Sequence, residues 1–113
     1  MLKRSGVVVF GVVVVAVLAA CTGPSLDEIE PVVGAAEITV KDDYFEPRVV
    51  QVTPGTTITW TWDARRGHDL AANDFTTPVQ REGTFEYSWD EPGIYNFICR
   101  LHAGMTGRVI VAE

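Results

Sequence analysis

The sequence predicts an all-β domain built as a sandwich or barrel of short strands. β-branched and aromatic residues alternate with polar ones, Pro and Gly interrupt these runs, and no stretch after the first 20 residues has an apolar stripe of helical period. Because successive side chains of a strand point to opposite faces, each run would bury one face. Short strands separated by turns favour an antiparallel arrangement.

The candidate strands follow one another between turn signals. Pro54-Gly55 and Glu91-Pro92-Gly93 mark two of the turns. The alternating apolar positions are, in chain order, Ile38 and Val40; Val50 and Val52; Ile58, Trp60 and Trp62; Phe85, Tyr87 and Trp89; Tyr95, Phe97 and Cys99; Val109 and Val111. These side chains are the predicted core, and Cys99 shares the inward face of its strand with Phe97.

The first 20 residues are typical of a secretory signal. Lys3 and Arg4 precede a 15-residue apolar run at 6–20, which is shorter than the roughly 20 residues needed to span a bilayer as a helix. The run ends in LAAC, which resembles the lipobox of bacterial lipoproteins, and that resemblance implies that Cys21 is lipidated and becomes the mature first residue. The alternative is an uncleaved anchor. Either one tethers the domain outside the cytoplasm, on a periplasmic or cell-surface face.

Residues 21–35 mix Pro, Gly and acids without a period, which predicts a flexible tether ahead of one domain at 36–113. Loss of Lys3 and Arg4 with the signal leaves 7 basic and 15 acidic residues, a formal charge of −8, which argues against nucleic acid as a partner. With Cys21 lipidated, Cys99 would have no disulfide partner. A metal bond would protect that thiol, and the alternative is a buried core cysteine.

A thiol, an imidazole and a thioether lie within the seven residues CRLHAGM at 99–105. The chain has only two cysteines, two histidines and two methionines. The candidate ligands are therefore His68, Cys99, His102 and Met105. A thiolate, two imidazoles and a weak thioether suit copper in both oxidation states. Zinc is the main rival, but its sites take Cys, His or carboxylate, or leave a position for water, and Met105 fits neither case.

Residues of about 36–113 resemble the type 1 blue-copper proteins of the cupredoxin family, in particular the plastocyanin and amicyanin-like branch. The matching pieces are Phe45-x-Pro47, the VQV strand, Gly55-x-x-Ile58-x-Trp60, a lone mid-chain His68, Pro92-Gly93-x-Tyr95-x-x-x-Cys99, and C-x2-H-x2-M leading into Gly107-x-Val109-x-Val111.

This resemblance implies a Greek-key β-sandwich or barrel that holds one type 1 copper ion. Carried over to this sequence, it makes His68, Cys99 and His102 equatorial ligands and Met105 the axial ligand. It also implies that His102 lies at the surface and is the exit for the electron. The small neighbours Ala103 and Gly104 would let a partner approach closely, or they simply suit a tight loop.

The sequence departs from the family at Asp69, where the family usually has Asn. We expect Asp69 to reach the Cys99–Arg100 segment, through a backbone N–H or the Arg100 guanidinium, to orient the ligands and to favour Cu(II). The alternative is that both side chains are solvated. Arg65, Arg66 and Arg100 form either a basic collar for an acidic partner or a set of solvated surface charges.

The leading functional hypothesis is a monomeric, membrane-tethered electron carrier that works between unidentified redox proteins and is not an enzyme. The alternative is a protein that delivers copper to an envelope oxidase or buffers it. A copper enzyme ranks third, because a second copper centre needs further histidines and both histidines are already used.

Overall fold

A computed structural model describes residues 24–113. The signal sequence and the lipobox predicted at 1–21 lie outside this range. The described part contains a short 3-10 helix at Leu26–Glu28 and eight strands. The strands are β1 Val32–Val33, β2 Glu37–Val40, β3 Phe45–Glu46, β4 Val49–Val52, β5 Thr57–His68, β6 Gln80–Ser88, β7 Gly93–Ile98 and β8 Thr106–Val111. No helix in this range is long and apolar enough to cross a bilayer.

The strands form two four-stranded sheets, in the orders β1-β4-β8-β7 and β3-β2-β5-β6. The all-β prediction is confirmed, but the expectation of antiparallel pairing is wrong for three pairs. β1 with β4, β4 with β8, and β2 with β5 are parallel. The chain passes from one sheet to the other, for example between β4 and β5, so neighbours within a sheet are often distant in sequence. Alternation identifies the buried face of a strand and says nothing about the direction of its neighbour.

The core lies between the sheets and contains the residues that the alternation selects. Ile58 and Trp60 of β5 are fully buried, as is Phe97 of β7. The rings of Trp60 and Phe97 meet edge to face with centroids 5.5 Å apart, which joins the two sheets. Phe85 and Tyr87 are only partly buried against this cluster.

β5 extends further than the sequence predicts and carries His68 to one end of the sandwich. Beyond Trp62 its register against β6 becomes irregular, between Asp63 and His68. The indole N–H of Trp62 donates to the His68 carbonyl at 2.9 Å, which fixes the end of the strand across the irregularity. The run ARRG does not alternate, so its pattern does not indicate that the strand continues.

The segment before β2 differs from the flexible tether expected over 21–35. Val32 and Val33 pair with Val50 and Gln51 of β4. Asp27 in the 3-10 helix forms an ion pair with Arg108 of β8, with an N–O distance of 2.6 Å. The added strand covers an edge of β4 whose backbone groups would otherwise lack partners. A two-residue strand is too short to leave a periodic pattern in the sequence.

Candidate metal centre

The four candidate ligands lie at the same end of the sandwich. His68 ends β5, Cys99 directly follows β7, and His102 and Met105 belong to the loop that leads into β8. The ligand atoms of His68, Cys99 and His102 all lie within 4.8 Å of one another. His68, Cys99 and Met105 are buried, whereas the side chain of His102 is 25% exposed.

The loop that carries His102 and Met105 is closed by its own backbone. The Cys99 N–H donates to the Met105 carbonyl at 3.0 Å, and the Met105 N–H donates to the His102 carbonyl at 3.2 Å. Gly104 has a φ of +80°, a conformation that a side chain would make unfavourable. The chain thus turns back within six residues, so that Cys99, His102 and Met105 line one surface hollow.

His68 is held at both ring nitrogens. Nδ1 lies 3.8 Å from Cys99 Sγ, and Nε2 lies 3.0 Å from Asp42 Oδ1. A carboxylate is only an acceptor, so Nε2 carries a proton and donates a hydrogen bond to Asp42, and Nδ1 is the ring nitrogen that faces Cys99 Sγ. A carboxylate on the outer nitrogen of a ligating histidine fixes the ring and raises its basicity.

Asp42 is in turn held by the backbone of β5. Its carboxylate accepts the N–H groups of Arg65 and Arg66, each at 3.0 Å. The hydrogen bond from His68, and then these two backbone N–H groups, hold the pKa of Asp42 well below its usual range. Sequence reasoning missed this residue. The only signal was the acidic pair in KDDY, which lies 26 positions from His68 and is ordinary composition for a turn.

The contact expected between Asp69 and the Cys99–Arg100 segment is present by both routes. Asp69 Oδ1 accepts the Arg100 backbone N–H at 2.8 Å, and Oδ2 accepts the Arg100 guanidinium at 2.6 Å. Burial alone would raise the pKa of Asp69, but the Arg100 hydrogen bonds and charge outweigh it, and the pKa is lowered. Asp69 is only 2% exposed, so the alternative of a solvated carboxylate is wrong.

The basic collar is largely neutralised by acids of the same chain. Arg66 forms an ion pair with Asp43, with an N–O distance of 2.6 Å, and Arg100 is paired with Asp69 at the same distance. Arg65 is exposed. Two of the three guanidinium charges are therefore already matched, which weakens the case for docking an acidic partner there.

His102 is held less firmly than His68. Its Nε2 is buried and has no hydrogen-bond partner among residues 24–113. Its Nδ1 lies 3.6 Å from Asp43 Oδ1, beyond good hydrogen-bond distance. The two imidazole rings lie close together, with centroids 4.5 Å apart. A buried ring nitrogen without a partner is costly, and a metal ion would satisfy it.

The donor set and its spacing fit a metal ion. Bonds of about 2.0 Å to nitrogen and about 2.3 Å to sulfur that meet at about 120° separate the two atoms by about 3.7 Å. That is within about 0.1 Å of the 3.8 Å between His68 Nδ1 and Cys99 Sγ. Cys99 is buried and forms no disulfide within the described residues, so its sulfur is available.

Comparison with known proteins agrees with this geometry. The family profile of the cupredoxin-like domain matches residues 11–111. The chain belongs to the cupredoxin family. Cupredoxins hold one type 1 copper ion, and the set His68, Cys99, His102 and Met105 is arranged as such a site.

Two sequence relatives and one solved structure show the extent of the likeness. The chain is similar to halocyanin of Natronomonas pharaonis, with 36% identity over 95 residues, which cover 75% of this chain and 56% of halocyanin. It is 27% identical to amicyanin-alpha of Methylorubrum extorquens over 86 residues, or 69% of this chain and 72% of that protein. A purple cupredoxin from Nitrosopumilus maritimus superposes with a TM-score of 0.63 at 25% identity, over 69% of this chain and all of that one. This cupredoxin therefore spans little more than half of its halocyanin relative.

Proposed function

We propose that this cupredoxin is a one-electron carrier in which His68, Cys99, His102 and Met105 hold a single type 1 copper ion. The observation that carries the proposal is the convergence of an inward cysteine sulfur and two imidazoles within 4.8 Å at one end of a rigid sandwich. When bound, copper supplies a reversible Cu(II)/Cu(I) couple. Membership of a family of electron carriers supports this assignment.

The protein's part is to keep the ligand geometry unchanged while the charge changes. His68 is fixed by Asp42 and by the hydrogen bond from Trp62 to its carbonyl. Cys99 is fixed by its N–H bond to Met105 and by the bracing of Arg100 by Asp69. A site built on strand ends and braced by such outer contacts has little freedom to rearrange, which favours fast electron transfer over release of the metal.

His102 gives the site its contact with solvent. Its side chain is one quarter exposed, whereas the other three ligand residues are buried. We assign it as the point where the electron enters and leaves. The exposed Leu101 beside it offers apolar surface to a partner. A buffering or delivery protein needs a site from which the ion can escape, so burial of three of the four ligands favours the carrier.

We further propose that lipid on Cys21 tethers the domain outside the cytoplasm, on a bacterial membrane. The basic start, the short apolar run and LAAC support this reading. Mass spectrometry of the purified protein and its partition into detergent would test it, with Cys21→Ser as the control. A Cys21→Ser variant that stays with the membrane as fully as the unmodified protein would contradict the lipid anchor.

The central experiment is a Cu(II) titration of a soluble fragment that begins at Thr22. It should retain Pro24 and β1, because both contact the body of the domain. We expect one copper per chain, an intense thiolate-to-copper absorption band, reversible bleaching by ascorbate, and loss of the band in Cys99→Ser. Asp63→Asn is the control, because the exposed Asp63 carboxylate is paired with Lys41 and with none of the four ligands. Copper that binds without this band, or dissociates on reduction, would overturn the carrier and favour copper delivery.

A further inference from the structure

The N-terminal segment enters the domain at the end that carries the ligands. The guanidinium of Arg48 binds both the N-terminal segment and the residue that follows the ligand loop. Its Nη1 donates to the Pro24 carbonyl at 2.7 Å, its Nε to the Thr106 carbonyl at 3.0 Å, and its Nη2 to Thr106 Oγ1 at 2.8 Å. Thr106 directly follows Met105 and lines the same hollow as His102. Pro24 is therefore separated from the ligand loop by a single side chain.

A second contact holds the following residues along β8. Asp27 accepts from Arg108 Nη1 at 2.6 Å, and Arg108 Nε donates to Asn96 at 2.7 Å. The Arg108 side chain is 14% exposed and held in place by Asn96, whereas Asp27 is 82% exposed, so the pair is anchored on its basic side and open to solvent on its acidic side. The segment then joins the sheet as β1.

The direction of the strands shows which end the segment reaches first. β1 and β4 are parallel, and β4 is parallel to β8, with Val49 opposite Arg108 and Val52 opposite Val111. All three strands therefore run away from the ligand end. Residues before Val32 lead back toward that end, where Arg48 receives them.

We propose that this arrangement orients the domain on the membrane with its copper-ligand end facing the lipid, so that its electron partner is a membrane-embedded redox protein. The inference rests on the proposed lipidation of Cys21. Three residues of chain span at most about 11 Å in any conformation. β8 alone is about 17 Å long from its first to its last residue. The tether is thus shorter than the domain, and Pro24 stays close to the lipid.

The chemistry of the ligand end is compatible with an apolar surface nearby. Leu101 and Tyr44 are about half exposed there, and Asp43 is neutralised by its ion pair with Arg66. Asp69 is paired with the Arg100 guanidinium, and Asp42 accepts backbone N–H groups that take the place of water. A surface whose charges are mostly paired costs less free energy to dehydrate beside lipid than a surface of unpaired carboxylates would.

The test uses the full-length, lipidated, copper-loaded protein in phosphatidylcholine vesicles that contain a headgroup nitroxide lipid. Pulsed EPR would measure how much the bound Cu(II) speeds the relaxation of the headgroup nitroxides. The comparison variant carries 20 Gly/Ser residues inserted between Gly23 and Pro24, which adds about 25 Å of flexible reach. We expect the unmodified protein to show a relaxation enhancement several-fold above that of the insertion variant. Equal enhancement in the two would overturn the proposed orientation.

A second variant tests the clamp itself. Arg48→Gln with Arg108→Gln removes the contacts to Pro24 and Asp27 while leaving all four ligands. We expect its relaxation enhancement to fall toward that of the insertion variant. An unchanged value would show that these contacts do not orient the domain.

Control measurements on the same samples separate this inference from the proposed function. The mass of the Cys21-containing peptide reports lipidation, and the thiolate-to-copper band reports the site. If both are present and Cu(II) enhances the nitroxide relaxation equally in all variants, the orientation is wrong and the carrier stands. If the band is missing, the carrier proposal fails, and if the lipid is missing, the proposed anchor fails; in either case the orientation falls with it.

Discussion

The two histidines of the site are held in opposite ways. His68 lies at the end of a long strand, is fully buried, and has its outer nitrogen bound by Asp42. His102 lies in a six-residue turn, is partly exposed, and has a buried nitrogen without a partner in the described chain. Contacts within the protein fix the first ring, whereas the second ring keeps a buried nitrogen that a metal ion would satisfy. His68 is thus part of the fixed framework of the site, whereas His102 is the histidine that reaches solvent.

The largest expected difference between the two histidines is in whether an external ligand can replace the missing side chain. His68→Ala and His102→Ala should each abolish the type 1 absorption. Millimolar imidazole should restore it in His102→Ala, because that position opens to solvent, and not in His68→Ala, where the cavity is enclosed by Asp42 and the core. Absorption titrations with imidazole would measure this. Equal rescue of both variants would contradict the contrast between the two histidines.

The next effect concerns the buried carboxylate behind the ligands. Asp69→Ala leaves the Arg100 N–H without its partner and should lower the free energy of unfolding of the metal-free domain by about 2 kcal/mol. Urea denaturation would measure it. Asp69→Asn should lose less, since an amide oxygen can still accept the N–H. The control is Asp63→Ala, whose ion pair with Lys41 is exposed and should be worth less than about 1 kcal/mol. A loss as small as that of the control would show that Asp69 does not brace the loop.

A smaller effect is expected from the carboxylate that fixes His68. Asp42→Asn removes a negative charge and a strong acceptor from the outer ring nitrogen, so the oxidised state loses stabilisation. The reduction potential should rise by roughly 60 mV, which is a tenfold change for one electron. Asp43→Asn is the matched control, because Asp43 lies 3.6 Å from the His102 ring in a poorer contact. Cyclic voltammetry would compare them. An equal shift in both would mean that only net charge matters.

The smallest effect separates backbone strain from ligand geometry. Gly104→Ala and Gly34→Ala both place a side chain at positive φ, at +80° and +85°, and each should cost about 1 kcal/mol of stability. Only Gly104 lies in the ligand loop. We therefore expect a shifted visible spectrum in Gly104→Ala and an unchanged one in Gly34→Ala. Identical spectra would show that the loop tolerates the strain without moving His102.

The sequence predicted the parts of this molecule that depend on neighbouring residues. Alternation correctly placed Trp60 and Phe97 in the core and turned Cys99 inward, because the period of a strand is a local property. The departure from the family at Asp69 led to its partner Arg100, because the two positions flank ligands. The pattern around His68 does not indicate where its side chain lies in the fold, and the resemblance to the family was needed to place it beside Cys99.

What the sequence did not predict depends on contacts between distant segments. The three parallel pairings follow from how the chain crosses between sheets, which leaves no mark in a strand's own pattern. Asp42 meets His68 through the packing of β2 beside β5, so no spacing rule identifies it. β1 has two residues, too few for a period, and its existence depends on the open edge of β4.

The junction at Arg48 also decides how the domain bears mechanical load. A force applied through the N-terminal segment acts first on the Pro24 carbonyl and on the Asp27 ion pair. Behind them, β1 lies parallel to β4, so a pull along the chain loads its hydrogen bonds in shear, all at once. The load enters the sandwich at Thr106, the residue after Met105, and acts last on the opposite end of the sandwich. Any tension on the N-terminal segment is therefore felt first by the loop that carries His102.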